Sequence, residues 1–210
     1  MLSNSKEGNS DMDRGWMLGA LLFAGVVEAA PDNLFEGYSY GDSRESFSDE
    51  KGYTDCQPPG VSAARCWSPL EFAGSAYQLA LNFGAAGLTE VYLLGPFQVR
   101  RFQAAMRVLA KDFTLASIAD RNTAMDVLGD SLSGELSSQR AQAVDLFEQH
   151  ALETGQITYR LYDRVVVQPG TSNAQALTFL PVGLREVAVT IADDGSQNLL
   201  IIRFSMPRRR

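Results

Sequence analysis

The sequence predicts an α+β fold, in which an antiparallel sheet of hairpins is packed on one face by helices. The main observation is that residues 76–83 alternate apolar and polar side chains, as in a strand with one buried face. Gly84 to Gly87 can reverse the chain, and residues 88–94 resume a β-rich composition. Strands that follow one another as hairpins pair antiparallel, and a hairpin with one apolar face needs a second layer to cover it.

A helix is predicted after this hairpin. Gly95 and Pro96 end the strand, and proline fits the first turn of a helix. The apolar side chains that follow recur at a helical spacing and line one face: Phe102, Met106, Leu109 and Phe113.

The remaining elements follow in chain order. Residues 113–119 form either a short strand or more helix, and residues 157–162 alternate as a strand. A polar interval at 168–173 precedes a short helix at 174–180, and the strands 186–191 and 199–204 form a final hairpin. A second long helix begins at Gly134, ends at Gly155 and carries Leu136, Ala143, Val144, Phe147 and Ala151 on one face.

Domain organisation follows from the absence of a long linker. Residues 30–210 are expected to form one α+β domain. The hairpin-bearing halves 34–119 and 134–205 suggest a duplicated module, although their sequences do not match.

Charge argues against a nucleic-acid partner. The chain has a formal charge of −7 and a pI near 4.7, whereas phosphate binding needs a basic surface. The terminal arginines, Arg208 to Arg210, form the only basic cluster, and three charges are typical of a solvated tail.

An export signal is predicted at residues 1–29. The run from Trp16 to Val27 is uncharged, within the length of a secretory core and short for a membrane span. Val27 and Ala29 occupy the −3 and −1 positions of a signal-peptidase site. A start at Met12 would give a better leader than Met1, and a buried N-terminal helix is the alternative interpretation. Cleavage would leave an acidic periplasmic or secreted protein without a stable membrane span.

The two cysteines fit an oxidising compartment. Cys56 and Cys66 flank a turn-rich segment that a disulfide could close, contributing about 2 to 3 kcal/mol of stability. Two unpaired thiols or a metal pair are the alternatives, and neither a metal site nor a cofactor is predicted because no further ligands lie at suitable spacing.

Residues 34–95 resemble part of a group of exported proteins. Asp42 and Glu45 have the spacing of a capping box and Gly52 that of a helix terminator, so a short helix is expected between them. This stretch resembles the openings of exported helix-plus-sheet modules of the β-lactamase-inhibitor-protein-like type and of the small outer-membrane-assembly lipoproteins. The resemblance lies in the spacing of Phe35, Gly37, Gly41 and Ser43 before a short capped helix and two or three strands. The resemblance covers residues 34–95 and implies a protein-binding role. The chain departs from it in lacking a lipoprotein cysteine at the cleavage point and in the polar character of its helix.

Few residues suggest catalysis. His150 is the single histidine and is expected on the surface near a helix end. The adjacent acids Asp49/Glu50 and Asp193/Asp194 could serve as an acid and a base, although such pairs in turns are normally solvated. A hydrolase acting on envelope material is therefore the alternative function, and it would need paired acids in a pocket with one carboxyl buried.

The candidate binding residues are aromatic. Tyr38, Tyr40, Tyr53 and Trp67 are expected around the disulfide loop, and this composition is typical of interface hot spots. The alternative is that they only cover the edge of the core. The sequence thus favours a non-enzymatic binding or assembly module with an envelope protein or peptide as its partner.

Overall fold

The computed structural model describes residues 32–59, 61, 63–133, 137–164, 183–193, 195 and 197–207. The predicted leader 1–29, Leu136, the predicted loop and short helix at 168–180, Asp194 and the terminal arginines lie outside the described residues.

The described chain has an α+β fold dominated by one antiparallel sheet. The strands are β1 Asn33–Phe35, β2 Tyr38–Ser39, β3 Thr54–Cys56, β4 Ala64–Phe72, β5 Ser75–Gly84, β6 Gly87–Pro96, β7 Phe113–Ala119, β8 Ala124–Asp126, β9 Gln156–Asp163, β10 Glu186–Asp193 and β11 Asn198–Ser205. Nine of them are hydrogen-bonded in the order β3-β4-β5-β6-β11-β10-β9-β7-β8, and β1 and β2 form a separate two-stranded ribbon. The helices are α1 Val99–Leu109, α2 Leu128–Ser133 and α3 Ser138–Glu153.

The predicted hairpins are present. β5 pairs antiparallel with β6, and β10 with β11. The segment 113–119 is a strand rather than more helix, and it pairs with β9. Because β6 also pairs with β11, the strands of the two predicted halves belong to one continuous sheet.

The turn between β5 and β6 needs glycine at position 87. Gly87 has a φ of +98°, and a Cβ there would lie 2.5 Å from the carbonyl oxygen of Gly41. Two main-chain hydrogen bonds cause this close approach: Gly41 donates to Leu88, and Leu88 donates to Asp42, each at 2.8 Å. They anchor the loop after β2 to the tip of the central hairpin.

Two predicted helix starts are wrong. Pro96 is the last residue of β6, paired with Leu199, and α1 begins at Val99 after Gln98. The segment 44–51 forms two short 3-10 turns, Arg44–Ser46 and Asp49–Lys51, instead of one capped helix. The capping box does not form because the Asp42 carboxylate accepts the amide hydrogen of Ser39 at 2.8 Å. Gly52 does end the second turn, with a φ of +88°.

The main core joins alternate strand residues with both longer helices. It contains Tyr77, Leu79, Leu81, Val91, Leu93, Ile157, Leu161, Val187, Val189, Leu200, Ile202 and Phe204, with Ala105 and Leu109 of α1 and Ala151 of α3. A smaller cluster contains Val61, Ala64, Cys66, Ala80 and Leu94. Ala80 and Leu94 alternate with main-core residues along β5 and β6, and Cys66 pairs with Ala80, so this cluster lies on the other sheet face. Among the described residues, no helix has the length and apolar character that crossing a bilayer would require.

Candidate functional site

Three of the four predicted aromatic residues form a series with a fifth ring, that of Phe47, in the order Tyr38, Phe47, Tyr53 and Trp67. Tyr38 stacks on Phe47 with ring centroids 5.9 Å apart, and Tyr53 meets Phe47 edge-on at 5.3 Å. Trp67 follows at 6.3 Å from Tyr53. We call Tyr38, Phe47, Tyr53 and Trp67 the aromatic edge. Tyr40 is half-buried against the main core.

Several local structures position these rings. Tyr38 follows the tight turn of the β1–β2 ribbon, Phe47 lies between the two 3-10 turns, and Tyr53 directly precedes β3. The hydroxyl groups of Tyr38 and Tyr53 are hydrogen-bonded at 3.1 Å. Burial raises the pKa of Tyr38 above its usual value, and the hydrogen bond with Tyr53 raises it further.

Trp67 is the exposed end of this series. Its side chain belongs to the sheet face of the main core, because its partner across the strands is the fully buried Leu79. Trp67 nevertheless keeps 37% of its surface exposed, while Phe47 keeps 9%. Gly52 lies against the indole, since a Cβ at that position would be 3.7 Å from the Trp67 Nε1 atom.

The predicted disulfide is present but belongs to the opposite face. The Sγ atoms of Cys56 and Cys66 are 2.01 Å apart and join β3 to β4. Side chains alternate along β4, so Cys66 points away from the face that carries Trp67. The disulfide therefore fixes the strand that leads into the aromatic edge without contributing to its surface.

Arg65 fastens the loop that carries the aromatic edge. Its Nε atom donates to the Phe47 carbonyl oxygen at 2.9 Å, and an Nη2 hydrogen goes to the Tyr53 carbonyl oxygen at 2.8 Å. The same guanidinium binds the carboxylates of Asp49 and, at 3.1 Å, Asp55. The Arg65 side chain is only 9% exposed, so these contacts satisfy a largely buried cation.

A second arginine shares one of these carboxylates. Arg44 donates to Asp55 at 2.6 Å and lies over the ring of Phe83 at 5.5 Å. The hydrogen bond from Arg65 is the main reason why the pKa of Asp55 is lowered, and that from Arg44 adds to it. Sequence reasoning missed Phe47 and Arg65. The signal for Arg65 was its position next to Cys66, since neighbouring residues of a strand point to opposite faces and Arg65 therefore lies on the core face.

A cleft lies beside the aromatic edge. It has a volume of about 560 Å³. Its lining residues are three acids, two arginines, one ring and one serine: Glu45, Asp49, Glu50, Arg44, Arg65, Phe47 and Ser48. We call this the acidic cleft.

The predicted catalytic acids that the structure describes, Asp49, Glu50 and Asp193, are all exposed. Asp49 is bound to Arg65 while Glu50 is exposed, and Asp193 accepts the amide hydrogen of Gly195 at 2.8 Å within its own turn. His150 is exposed near the end of α3. No group of three or more histidine, cysteine or acidic residues in the described part of the chain could hold a metal ion.

A different pair of acids converges on the sheet face that carries the disulfide. Arg203 of β11 donates to Glu186 of β10 at 2.7 Å and lies 3.6 Å from a carboxylate oxygen of Glu90 on β6. Tyr92 donates to Glu90 at 2.7 Å. The Glu186 side chain is 4% exposed.

Tyr162 completes this polar group from β9, directly across the strands from Glu186. Its hydroxyl makes no hydrogen bond of normal geometry. Burial, and then the neighbouring Glu186 charge, raise the pKa of Tyr162 to about 12. No local sequence pattern indicates this group, because its members meet only through long-range strand pairing.

Comparison with known proteins finds no match: no protein-family model, curated protein or solved structure is similar to the chain.

Proposed function

We propose that the protein is an exported, non-enzymatic binding or assembly module whose aromatic edge contacts a protein or peptide partner. The observation that carries this proposal is the exposed indole of Trp67 at the end of a series of packed rings. Tryptophan and tyrosine dominate interface hot spots because they offer large apolar surfaces with polar atoms at their tips.

The contacts that hold the aromatic edge in place favour a binding function. Arg65 fixes the main chain at Phe47 and Tyr53, and the disulfide fixes β3 to β4. A surface that is rigid before association loses less conformational freedom when a partner binds. Tyr40, predicted as a binding residue, is half-buried against the main core, and its part in binding stays a prediction.

The proposed location is the periplasm or the outside of the cell. The Cys56–Cys66 disulfide supports it, since structural disulfides persist in oxidising compartments. The cleavage after Ala29 and the resemblance to exported inhibitor-like and assembly modules belong to the same proposal.

The domain organisation is part of the proposal as well. We infer one domain over residues 30–210, with α1 and α3 on the same face of the sheet. The ring of Phe102 on α1 lies 5.3 Å from that of Tyr159 on β9, whose hydroxyl donates to Glu148 of α3 at 3.0 Å. A duplication of the halves remains a hypothesis.

A photocrosslinking experiment tests the binding function. A photoreactive phenylalanine analogue at position 67 should trap a defined partner in intact cells, whereas the same analogue at the exposed position 152 on α3 should not. With that partner purified, Trp67→Ala should weaken binding by at least about tenfold in calorimetry, as expected for a hot spot. An unchanged affinity in a variant that folds normally would exclude the aromatic edge as the binding surface.

The alternative function is an envelope-acting hydrolase. The convergence of Glu90 and Glu186 favours it, because one of these two carboxylates is buried. However, the guanidinium of Arg203 occupies the space between them, where a substrate would have to bind. The binding module is therefore the better-supported function.

A further inference from the structure

We propose that the Cys56–Cys66 disulfide is a redox switch, which makes the aromatic edge a binding surface only after the two thiols have been oxidised outside the cytoplasm. The switch rests on the proposed binding function and adds its regulation. The reduced chain, as it exists before export, keeps the main core but lacks an ordered aromatic edge. The contacts of β3, Tyr53 and Arg65 and the accessibility of Cys56 carry this inference.

β3 depends on the disulfide for much of its attachment to the sheet. It has three residues, lies at the end of the sheet and pairs with β4 at Ala64 to Cys66. Its side chains add the ion pairs of Asp55 with Arg44 and Arg65. The Asp55 side chain is 74% exposed, however, and ion pairs of exposed carboxylates contribute little. A short terminal strand opens at a low free-energy cost, so reduction releases β3 while the main core stays folded.

Tyr53 transmits the state of β3 to the aromatic edge. It directly precedes Thr54, the first residue of β3, so its main chain is displaced when the strand detaches. Its ring lies 5.3 Å from that of Phe47 and 6.3 Å from that of Trp67, and its hydroxyl is hydrogen-bonded to that of Tyr38 at 3.1 Å. Tyr53 therefore links the buried part of the aromatic edge to the exposed indole, and its release separates the two.

Arg65 couples the same strand to the loop that carries the central ring. Its guanidinium binds the Asp55 carboxylate at 3.1 Å and the Tyr53 carbonyl oxygen at 2.8 Å. Both acceptors move away with β3, which leaves the Phe47 carbonyl oxygen and the exposed Asp49 carboxylate to bind a side chain that is only 9% exposed. A largely buried cation that loses acceptors is stabilised by moving toward water, and the Phe47 main chain then loses its fixed contact.

Cys56 is the sulfur that a disulfide donor can reach. It is half-buried and lines a cleft of about 490 Å³, whereas Cys66 is 4% exposed. In the reduced chain the Cys56 thiolate attacks the donor disulfide, forms a mixed disulfide and expels one donor sulfur as a thiolate. The Cys66 thiolate then attacks the Cys56 Sγ atom and expels the second donor sulfur. The two thiols thus lose two electrons and two protons, and the donor becomes a dithiol.

Trp67 fluorescence and hydrogen exchange test the switch in the full-length chain. The sequence contains two tryptophans, Trp16 and Trp67, so the Trp16→Phe variant reports on Trp67 alone. Its oxidised form is compared with the form reduced by a dithiol, and near-ultraviolet and far-ultraviolet circular dichroism report whether the main core stays folded. Reduction should raise the lifetime-corrected rate constant for acrylamide quenching of Trp67 about twofold and speed hydrogen exchange at the Tyr53 amide at least about tenfold.

A matched variant separates this effect from a general loss of stability. In the oxidised Trp16→Phe background, Glu186→Gln on β10 is expected to destabilise the protein by as much as loss of the disulfide, at a distance of several strands from β3. It should leave the quenching rate constant of Trp67 unchanged. An equal rise in this variant, or equal quenching in the oxidised and reduced forms, would overturn the switch. Loss of the main core on reduction would overturn it as well, because the switch requires a folded core.

Failure of the switch can be separated from failure of the binding function. The partner trapped at position 67 should bind the reduced protein at least about tenfold more weakly than the oxidised protein. If it binds both forms with equal affinity, the aromatic edge is a binding surface that needs no disulfide, and the switch is wrong. If no partner is trapped at position 67, the proposed function itself is wrong and the switch has no binding to control.

Discussion

The guanidinium of Arg65 donates a hydrogen bond to the main-chain carbonyl oxygen of Phe47 at 2.9 Å, across a separation of 18 residues. A side chain on β4 thereby fixes the loop that carries the central ring of the aromatic edge. Replacing Arg65 should loosen that loop, because a buried cation with four acceptors would be lost together with the order that it imposes.

We expect Arg65→Met to lower the thermal midpoint by about 5 to 10 °C. The exposed strand residue Arg160 offers the control, and Arg160→Met should change the midpoint by less than about 2 °C. Differential scanning fluorimetry of both variants measures the effect. Equal midpoints for the two variants would show that Arg65 does not hold the loop.

Gly87→Ala should destabilise the protein by about 2 to 4 kcal/mol. The added methyl group would meet the main-chain oxygens of Gly41 and Asp42 at 2.5 and 2.7 Å, in addition to the strain of a positive φ. Gly74 also has a positive φ but has no atoms within 4 Å of the added position, so Gly74→Ala should cost only about 1 kcal/mol. Urea unfolding gives both values, and a smaller loss at position 87 than at 74 would contradict the close approach.

Removing the disulfide should cost about 2 to 3 kcal/mol and release β3. The bond closes a short loop at the edge of the sheet, so its loss increases the freedom of the unfolded chain. β3 is then held by its pairing to β4 and by the ion pairs of Asp55 with Arg44 and Arg65. The Cys56→Ala/Cys66→Ala variant should show faster hydrogen exchange at residues 54–56. A dithiol reductant should reproduce this exchange in the native protein and have no effect on the variant.

Glu186→Gln should destabilise the protein by about 2 to 3 kcal/mol, because it removes the closest negative partner of Arg203 in a poorly solvated position. Glu71→Gln makes the same change at an exposed position of β4 and should have an effect below about 0.5 kcal/mol. Urea unfolding compares the two. If both variants lose the same free energy of unfolding, Arg203 is stabilised by Glu90 alone.

Acid should weaken the β7–β8 turn through Asp120. The amide hydrogens of Thr123 and Asn122 bind the Asp120 carboxylate at 2.6 Å, and they lower its pKa in the folded state. A carboxyl whose folded pKa is lowered stabilises the fold above its unfolded pKa of about 3.9 and loses that contribution as the pH falls through the folded value. Thermal midpoints of the native protein should therefore fall more steeply below about pH 4 than those of Asp120→Asn. If the midpoints of the two proteins fall in parallel as the pH is lowered, the Asp120 carboxylate does not cause the acid sensitivity.

The sequence predicted the elements whose pattern is local. The hairpin around Gly84 to Gly87 was predictable because Tyr77, Leu79 and Leu81 alternate with polar or small residues on a strand with one buried face. The 3-10 turns were not predictable in this way. Asp42 and Glu45 have capping-box spacing, but the Asp42 carboxylate accepts the amide hydrogen of Ser39 instead.

For the candidate site, the residue types could be predicted from local sequence, but their contacts across the fold could not. Tyr38, Tyr53 and Trp67 could be identified by residue type. The packing of Tyr38 and Tyr53 on Phe47 depends instead on Arg65, which reaches the Phe47 main chain from β4. The contact between Arg203 and Glu186 depends on the pairing of β10 with β11, and that between Arg203 and Glu90 on the pairing of β11 with β6. Neither register can be read from a single stretch of sequence.

The short β3 has a consequence for how the protein behaves at high concentration. A broad sheet with a long open margin can recruit strands from other molecules and grow into fibrils. In this protein the edge strand is the short β3, Thr54–Cys56, which the disulfide joins to β4. Beyond β3 the exposed edge is the irregular part of β4 that contains Pro69, which has no amide hydrogen to donate. Among the described residues, this border of the sheet is thus poorly suited to template polymerisation.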